Sequence, residues 1–385
     1  MNTYDTQTDA VFEETGDSVF YEEYTEPAMA DTKEETDKKC PQCGGVMTFH
    51  PNTGNMKCPY CDYEEAIPAE VEDITTAAEL DFYQAEYTAN KDWGVETKTV
   101  LCRACGAESI YDALQTSGVC PFCGSNQVME AHTTGTIAPG GVVPFQINDK
   151  QAAQYFHTWI KRKWFCPKEA KENVKPKSFH GIYLPYWTFD TQTSASYHGQ
   201  YGTKHVRKNS KGETRVEIHW HYTSGSLRQF FDDELVLASK NHNADILRGL
   251  EPFHTGENKA YKPEYVAGFV AERYSVGLKD AWEMAKVSIH HKLENLAEDH
   301  IQRRHATSYV RGVSVSAAYD DITYKYLLLP VWTSNFKYKD KVYQFMVNGQ
   351  TGKVSGKIPI SAGKVALTVI GIILLAVLFG YIYFA

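Results

Sequence analysis

The first 130 residues are short of positive charge, with seven lysines and arginines against 26 acidic side chains. Proteins grip nucleic acid chiefly by neutralising phosphates with Lys and Arg, so this half makes a poor DNA- or RNA-binding surface. Long apolar runs are also missing before residue 365, and the N-terminus has neither the basic nor the apolar region of a signal peptide. Cysteine is nearly confined to one window, Cys40 to Cys123, which holds eight of the nine; the ninth is Cys166. Since nothing points to export, disulfides are not expected. A nucleotide-binding loop is missing too. Gly349-Gln350-Thr351-Gly352-Lys353 has two residues between its glycines where a P-loop needs four, and reads as a hairpin turn. No nucleophile–base signature stands out, which argues against an enzyme.

What the cysteine window contains is regular. Four Cys-x-x-Cys pairs occur, Cys40/Cys43, Cys58/Cys61, Cys102/Cys105 and Cys120/Cys123, and each cysteine of the first two recurs 62 residues later. Two residues between thiolates let one tight turn present both sulfurs to one ion. A loop of fourteen then lets a hairpin bring the second turn opposite, closing a tetrahedral S4 cage. Gly44, Gly45, Gly106 and Gly124 follow the turns, where a positive φ is often needed. Each half reads as a structural zinc ribbon, 40–66 and 95–130, so two Zn2+ per chain are expected on these eight cysteines. Iron in a rubredoxin-like S4 site is the chemical alternative. Cys58-Pro59-Tyr60-Cys61 matches the glutaredoxin string, but no βαβ pattern surrounds it.

Flanking these ribbons, residues 1–39 carry twelve acidic side chains and three lysines and read as a solvated tail. Ala69 to Lys91, within a linker over 67–94, is rich in Ala and Glu and reads as helical, and Val95 to Leu101 as a strand. Residues 131–385 carry 32 basic and 22 acidic side chains, so the near-neutral average conceals a dipolar chain.

A mixed α+β domain over 140–360, with an antiparallel sheet and a long helix, is expected next. Asn148 or Asp149 caps a helix to about Trp164, closed by Lys161-Arg162-Lys163. Leu184-Pro185-Tyr186-Trp187-Thr188 recurs 145 residues later as Leu329-Pro330-Val331-Trp332-Thr333, implying equivalent strands. Arg215 to Tyr222 alternates, with Glu217, His219 and His221 on one face. That trio has the makings of a metal or catalytic site, though a polar sheet face explains it more simply. Thr223-Ser224-Gly225 and Asp320-Asp321 read as turns, Tyr265 to Tyr274 as a strand, and Ala244 to Leu250 as a short helix. Asp280 to His305 is the longest helix, with a stripe of Trp282, Ala285, Ile289, Leu293 and Leu296. Its His290, His291, His300 and His305 read as solvated.

Val365 to Ala385 is 21 residues without charge, about 32 Å as a helix, enough to span a bilayer. Lys353, Lys357 and Lys364 mark its near side as cytoplasmic. A tail-anchored protein with its N-terminal bulk in the cytoplasm is the expectation.

These features together resemble bacterial tail-anchored double zinc-ribbon membrane proteins, often labelled transcription-factor-IIB-type zinc-ribbon or primosomal-helicase-like. The likeness rests on the paired Cys-x-x-Cys motifs, Trp93-Gly94, the two Leu-Pro-x-Trp-Thr segments and Asn348-Gly349-Gln350-Thr351-Gly352-Lys353, and covers about 40–385. It implies a cytosolic or membrane-associated protein partner of SPFH-domain or phage-shock type and a non-enzymatic scaffold role in envelope stress. The helicase label implies a motor core for which the sequence has no motif. A nucleic-acid-associated regulator using Lys161-Arg162-Lys163 and Lys204, Arg207, Lys208 and Lys211 is the competing reading.

Overall fold

In a computed structural model, residues 39–68, 76–85, 97–102, 108–112, 128–131, 137–173, 179–208, 214–339 and 341–384 are described. The first sheet is small and antiparallel: β1 (Thr48–His50), β2 (Asn55–Lys57) and β3 (Glu64–Glu65) in that order. Further on, β4 (Leu80–Asp81) pairs with Thr323 and Tyr324, so at these positions the expected helix gives way to a strand. Partnership with a long strand outweighs the weak helical preference of an Ala/Glu-rich sequence. Next, β5 (Thr97–Cys102) lies between β6 (Glu108–Asp112) and β7 (Val128–Ala131). The short β8 (Gly141–Val142) leads to α1 (Asp149–Arg162).

A reciprocal cap starts α1. Asn148 Oδ1 accepts from the Gln151 N–H at 2.8 Å, and Gln151 Oε1 accepts from the Asn148 N–H at 2.9 Å. The helix buries Ala152, Phe156 and Ile160, four residues apart on one face. Beyond it come α2 (Lys168–Asn173), β9 (His180–Lys208) and β10 (Thr214–Leu237), then α3 (Ala244–Arg248) and β11 (Lys259–Ala260). After these, α4 (Pro263–Val266) and β12 (Val270–Glu272) stand where one strand was expected over 265–274. The chain closes with α5 (Leu278–His305), β13 (Val310–Tyr338), β14 (Lys341–Asn348), β15 (Val354–Gly356) and α6 (Ala362–Phe384). Lys38–Ala385 forms one compact unit.

The two Leu-Pro-x-Trp-Thr segments run antiparallel at its centre, with Leu184 directly opposite Leu329. Around that crossing the molecule is duplicated. On β13, β8 pairs in parallel with Leu327–Leu328; on β9, β12 pairs in parallel with Ile182–Tyr183. These sites are offset by the same 145 residues as the motifs. Trp332 Nε1 donates to the Ile147 carbonyl at 2.7 Å, and Trp187 Nε1 to the Val276 carbonyl at 2.9 Å. Each acceptor directly precedes a helix N-cap, Asn148 or Gly277. Phe145 packs on Trp332 with ring centres 4.9 Å apart, and Tyr274 on Trp187 at 5.2 Å. A buried indole needs an acceptor for its N–H, and both copies found it at the start of the following helix.

Strand length was hidden in the sequence. Thr223-Ser224-Gly225 lies inside β10, which is continuous, because Gly225 makes room for Tyr197: a Cβ there would meet its hydroxyl at 2.3 Å. Asp320-Asp321 is likewise a bulge within β13, with Asp321 at φ 53°, and Asp233 at φ 50° forms a matching bulge in β10. Aspartate tolerates the left-handed region better than most residues, so the same chemistry that makes turns makes bulges.

The buried face of α5 runs Ala281, Ala285, Ile289, Leu293, Ala297, Ile301, with Trp282 beside the first. A strict four-residue repeat advances about 40° around the helix per step. The contact face therefore rotates along α5, as packing along twisted strands requires. That rotation puts Ala297 and Ile301 inside and leaves Leu296 half-buried.

Candidate metal centre and membrane segment

Cys40, Cys43, Cys58 and Cys61 are brought together, their sulfurs all within 4.8 Å of one another. Cys40 and Cys61 are 3.4 Å apart, and Cys43 and Cys58 are 3.5 Å apart. These are not disulfides, which need about 2.05 Å. A tetrahedral ion with metal–sulfur bonds of about 2.3 Å sets sulfurs about 3.8 Å apart, so the donor set and its spacing fit a tetrahedral thiolate-bound metal.

The two turns have one geometry. In the first, the Cys40 N–H donates to the Gly45 carbonyl at 2.7 Å and the Gly44 N–H to the Cys40 carbonyl at 2.8 Å. In the second, the Cys58 N–H donates to Tyr63 at 2.8 Å and the Asp62 N–H to Cys58 at 3.1 Å. The residue after each second cysteine is left-handed, Gly44 at φ 72° and Asp62 at φ 60°. Each turn places one sulfur inside, Cys40 or Cys58, and one outside, Cys43 or Cys61. Burial raises the pKa of the Cys58 thiol, yet the N–H groups of Tyr60 and Cys61 aimed at its sulfur and the nearby Cys43 thiol bring it down to about 7. The Tyr63 N–H favours the Cys61 thiolate, but burial and crowding by the other three sulfurs push it up to about 12. Thiolate charge is thus favoured at Cys58 and disfavoured at Cys43 and Cys61, and a bound cation would offset that crowding of sulfurs.

The sheet is small, with Met47, Phe49 and Met56 as its apolar interior. It leans on the body: the Phe49 N–H donates to the Ala267 carbonyl at 3.1 Å, and Thr48 lies over Gly268, whose φ is 86° and where a Cβ would clash at 2.7 Å.

For the second cysteine set, Cys102 ends β5, while Cys105, Cys120 and Cys123 lie outside the described residues. One backbone feature does repeat. Lys39 pairs with Val46 across the first turn, and Leu101 pairs with Glu108, both shifted by 62. The β5–β6–β7 sheet is continuous with the main one, because β6 pairs antiparallel with β12 through Ile110–Ala271 and Ser109–Glu272.

Glu217, His219 and His221 sit on the β9–β10 hairpin and do not converge as ligands. His219 Nε2 is 3.9 Å from Glu217, while His221 Nε2 is hydrogen-bonded to Thr203 at 3.0 Å. Of the α5 histidines, His291 and His300 are exposed as expected, and His305 departs from expectation. His305 is half-buried, stacked on Tyr201 with ring centres 3.7 Å apart and bonded to Thr223 at 3.1 Å; His300 bonds Tyr197 at 3.2 Å. Burial and the nearby Arg304 and His221 hold His305 below the usual imidazole pKa.

Two charge clusters, one buried and one half-buried, had no signal in sequence spacing. Glu272 is fully buried and accepts from Ser239 at 2.7 Å and Asn241 at 2.9 Å on one oxygen, with His242 at 2.6 Å from the other. The second cluster gathers Asp190, Asp232 and Asp233, and Lys325 supplies its cation, 2.8 Å from Asp233, 3.2 Å from Glu79 and 3.8 Å from Asp190. Replacing Lys325 by methionine strands these carboxylates and is expected to cost about 3–5 kcal/mol at neutral pH, measured by denaturant unfolding of the detergent-solubilised chain. Burial pushes the Asp190 carboxyl up to about 6, above its ordinary 3.8, against the pull of the Asp233 N–H and Lys325. The folded state thus takes this proton more readily than the unfolded state, and stability attached to it is present at low pH and lost as pH rises. The cost of Lys325→Met should therefore shrink from about pH 8 to about pH 5. A pH-independent cost would contradict this account.

At the other end, Ala362–Gly380 is a 19-residue apolar stretch of mean hydropathy 2.5, and none of it is buried in the protein. Its base is tied to the turn after α1. The Ser361 N–H donates to the Phe165 carbonyl at 2.9 Å, and Lys364 Nζ to the Cys166 carbonyl at 2.8 Å. Cys166 itself is buried.

No family model matches this chain, and no solved structure matches it. It is similar to the uncharacterised protein YdjG of Bacillus subtilis (strain 168), 29 % identical over 350 residues, spanning 87 % of this chain and 93 % of that protein.

Proposed function

We propose that this protein is a non-enzymatic membrane adaptor, anchored by α6, that uses two zinc ribbons to hold a protein partner at the bilayer surface. The observation that carries this reading is the closed four-sulfur cluster in the same compact unit as an apolar helix none of whose residues is buried in the protein core. Four thiolates leave no open position for a substrate, which is the mark of a structural rather than a catalytic zinc site. Zinc is the assigned ion, with Cys102, Cys105, Cys120 and Cys123 as the second ligand set by the 62-residue repeat. Lys353, Lys357 and Lys364 on the near side of α6, with no acidic residue among them, favour placing the N-terminal bulk in the cytoplasm.

The strongly acidic 1–130 region calls for a partner with a basic surface, since complementary charge speeds encounter. The resemblance to double-ribbon membrane proteins supplies a candidate class, SPFH-type or phage-shock-type proteins. Cross-linking in membranes, detergent solubilisation and mass spectrometry of what co-purifies test the reading. A basic-surfaced protein recovered with the wild type and lost with Cys58→Ser is expected. Recovery only of nuclease-sensitive material would instead favour the nucleic-acid reading, which rests on Lys161, Arg162 and Lys163 and on Lys204, Arg207, Lys208 and Lys211.

A further inference from the structure

The turn that follows α1 is built in a way its own fold does not require. Trp164 is 65 % exposed, Phe165 is 39 % exposed, and Ile360 nearby in the fold is 68 % exposed. Trp164 Nε1 donates to Thr368 Oγ1 at 3.4 Å, and Lys364 Nζ lies 5.7 Å from the centre of the Trp164 ring. With the Ser361–Phe165 and Lys364–Cys166 bonds, these contacts hold the turn at the level of the first two turns of α6. Thr368 stands one helical turn beyond Lys364, the last charged residue of the sequence. An exposed indole at that level suits a membrane–water interface.

Cations cluster at the same place. Lys161, Arg162 and Lys163 are consecutive at the end of α1, and Lys364 adds a fourth cation from the base of α6, whereas Lys168 pairs with Glu172 and Lys353 reaches the Glu251 carbonyl. Arg162 and Lys163 line a cleft of 310 Å3 with Tyr155, Thr158, Trp159 and Gly352. Lys163 Nζ lies 4.7 Å from the centre of the Trp159 ring, which fixes its direction. Gly352 is needed at one wall: its φ is 75°, and a Cβ would meet the Tyr155 ring at 2.6 Å.

From this geometry we infer that the turn and cleft formed by Trp159, Arg162, Lys163 and Trp164 bind the phosphate headgroups of anionic phospholipids in the bilayer that α6 spans. The inference rests on reading α6 as a membrane span. Cationic side chains beside a span meet the negative surface potential of the cytoplasmic leaflet, and Arg recognises phosphate through a planar fork of donors. The aromatic pair supplies what a free-phosphate site has no use for, an apolar edge seated at headgroup depth. The site would hold α1, and with it the body of the protein, against the membrane instead of leaving it on a loose tether.

The test uses full-length protein in phosphatidylcholine vesicles, with spin-labelled phosphatidylglycerol and phosphatidylcholine as probes of protein-associated lipid. The wild type is expected to associate with phosphatidylglycerol at least about tenfold better than with phosphatidylcholine. The triple variant Lys161→Gln/Arg162→Gln/Lys163→Gln should lose most of that preference, while Lys204→Gln/Arg207→Gln/Lys208→Gln, which removes the same charge from the hairpin, should keep it. Equal preference in wild type and the first variant would overturn the inference, as would equal losses in both variants. Displacement of the labelled lipid by millimolar inorganic phosphate would show that the site takes free phosphate. If neither lipid probe is immobilised by any form of the protein, α6 is not a span, and the anchoring reading fails with the inference.

Discussion

Replacing Cys58 by serine is expected to remove one metal ion per chain and to unfold residues 39–65 while the long-stranded body remains folded. The magnitude follows from how little else holds this sheet. Only Met47, Phe49 and Met56 form its buried apolar interior, too few to order so short a sheet alone, and its docking runs through Phe49 and Thr48 onto 267–268. Structural zinc contributes about 10–16 kcal/mol of apparent binding free energy in small ribbons, and Cys58 is the inward-facing ligand of the second turn. Elemental analysis should fall from two zinc ions to one, and amide exchange should lose protection over 39–65 but not over 180–338. A variant that kept two ions and its protection would show that the sulfurs are gathered for some other reason. A wild type holding a single ion would remove the second site from Cys102, Cys105, Cys120 and Cys123.

The cysteine site was legible in the sequence because its chemistry is local. Each turn is four or five residues long, so spacing alone brings Cys40 to Cys43 and Cys58 to Cys61, and the left-handed position after the second cysteine is marked by Gly44. The central duplication was half legible. The Leu-Pro-x-Trp-Thr segments announced equivalent strands, but nothing local says that two such strands lie antiparallel with Leu184 on Leu329. The partner of each indole, Ile147 or Val276, is set by that pairing and is distant from it in sequence. Strand length was misleading for a physical reason: Asp233, Asp321 and Gly225 carry turn chemistry, and in long coiled strands the same residues make bulges or admit a neighbouring tyrosine. His305 reads as solvated because its stacking partner, Tyr201, is on another element. Lys325 reads as one polar residue among tyrosines and leucines, and its role exists only because two bulges deliver Asp190 and Asp233 to it.

Removing residues 362–384 is expected to release the protein completely from membranes to the soluble fraction without unfolding the rest. Ala362–Gly380 contains eleven Leu, Ile, Val and Phe residues, each favouring insertion by about 0.3–0.6 kcal/mol near the bilayer centre, or about 3–7 kcal/mol together. Its 19 residues extend about 29 Å, close to the roughly 30 Å of hydrocarbon to be crossed. One arginine near the middle costs about 3 kcal/mol, so Ile372→Arg should weaken retention in carbonate-extracted membranes. Ile372→Arg with Leu375→Arg cancels most of the driving force and should behave like the deletion. The body has little stake in the helix: none of the span's residues is buried, and the ties beyond residue 361 include single hydrogen bonds from Lys364 to Cys166 and from Trp164 to Thr368 and the Lys364 ammonium near the Trp164 ring. Such bonds contribute about 0.5–1.5 kcal/mol each, small beside the core formed by Trp187, Trp332 and α5. The truncated protein should therefore unfold in one cooperative transition within a few degrees of the intact chain in detergent. Loss of cooperativity would mean that α6 packs into the fold as a core helix. Persistence of the truncated chain in the carbonate-washed pellet would mean that another part of the protein holds the membrane by itself.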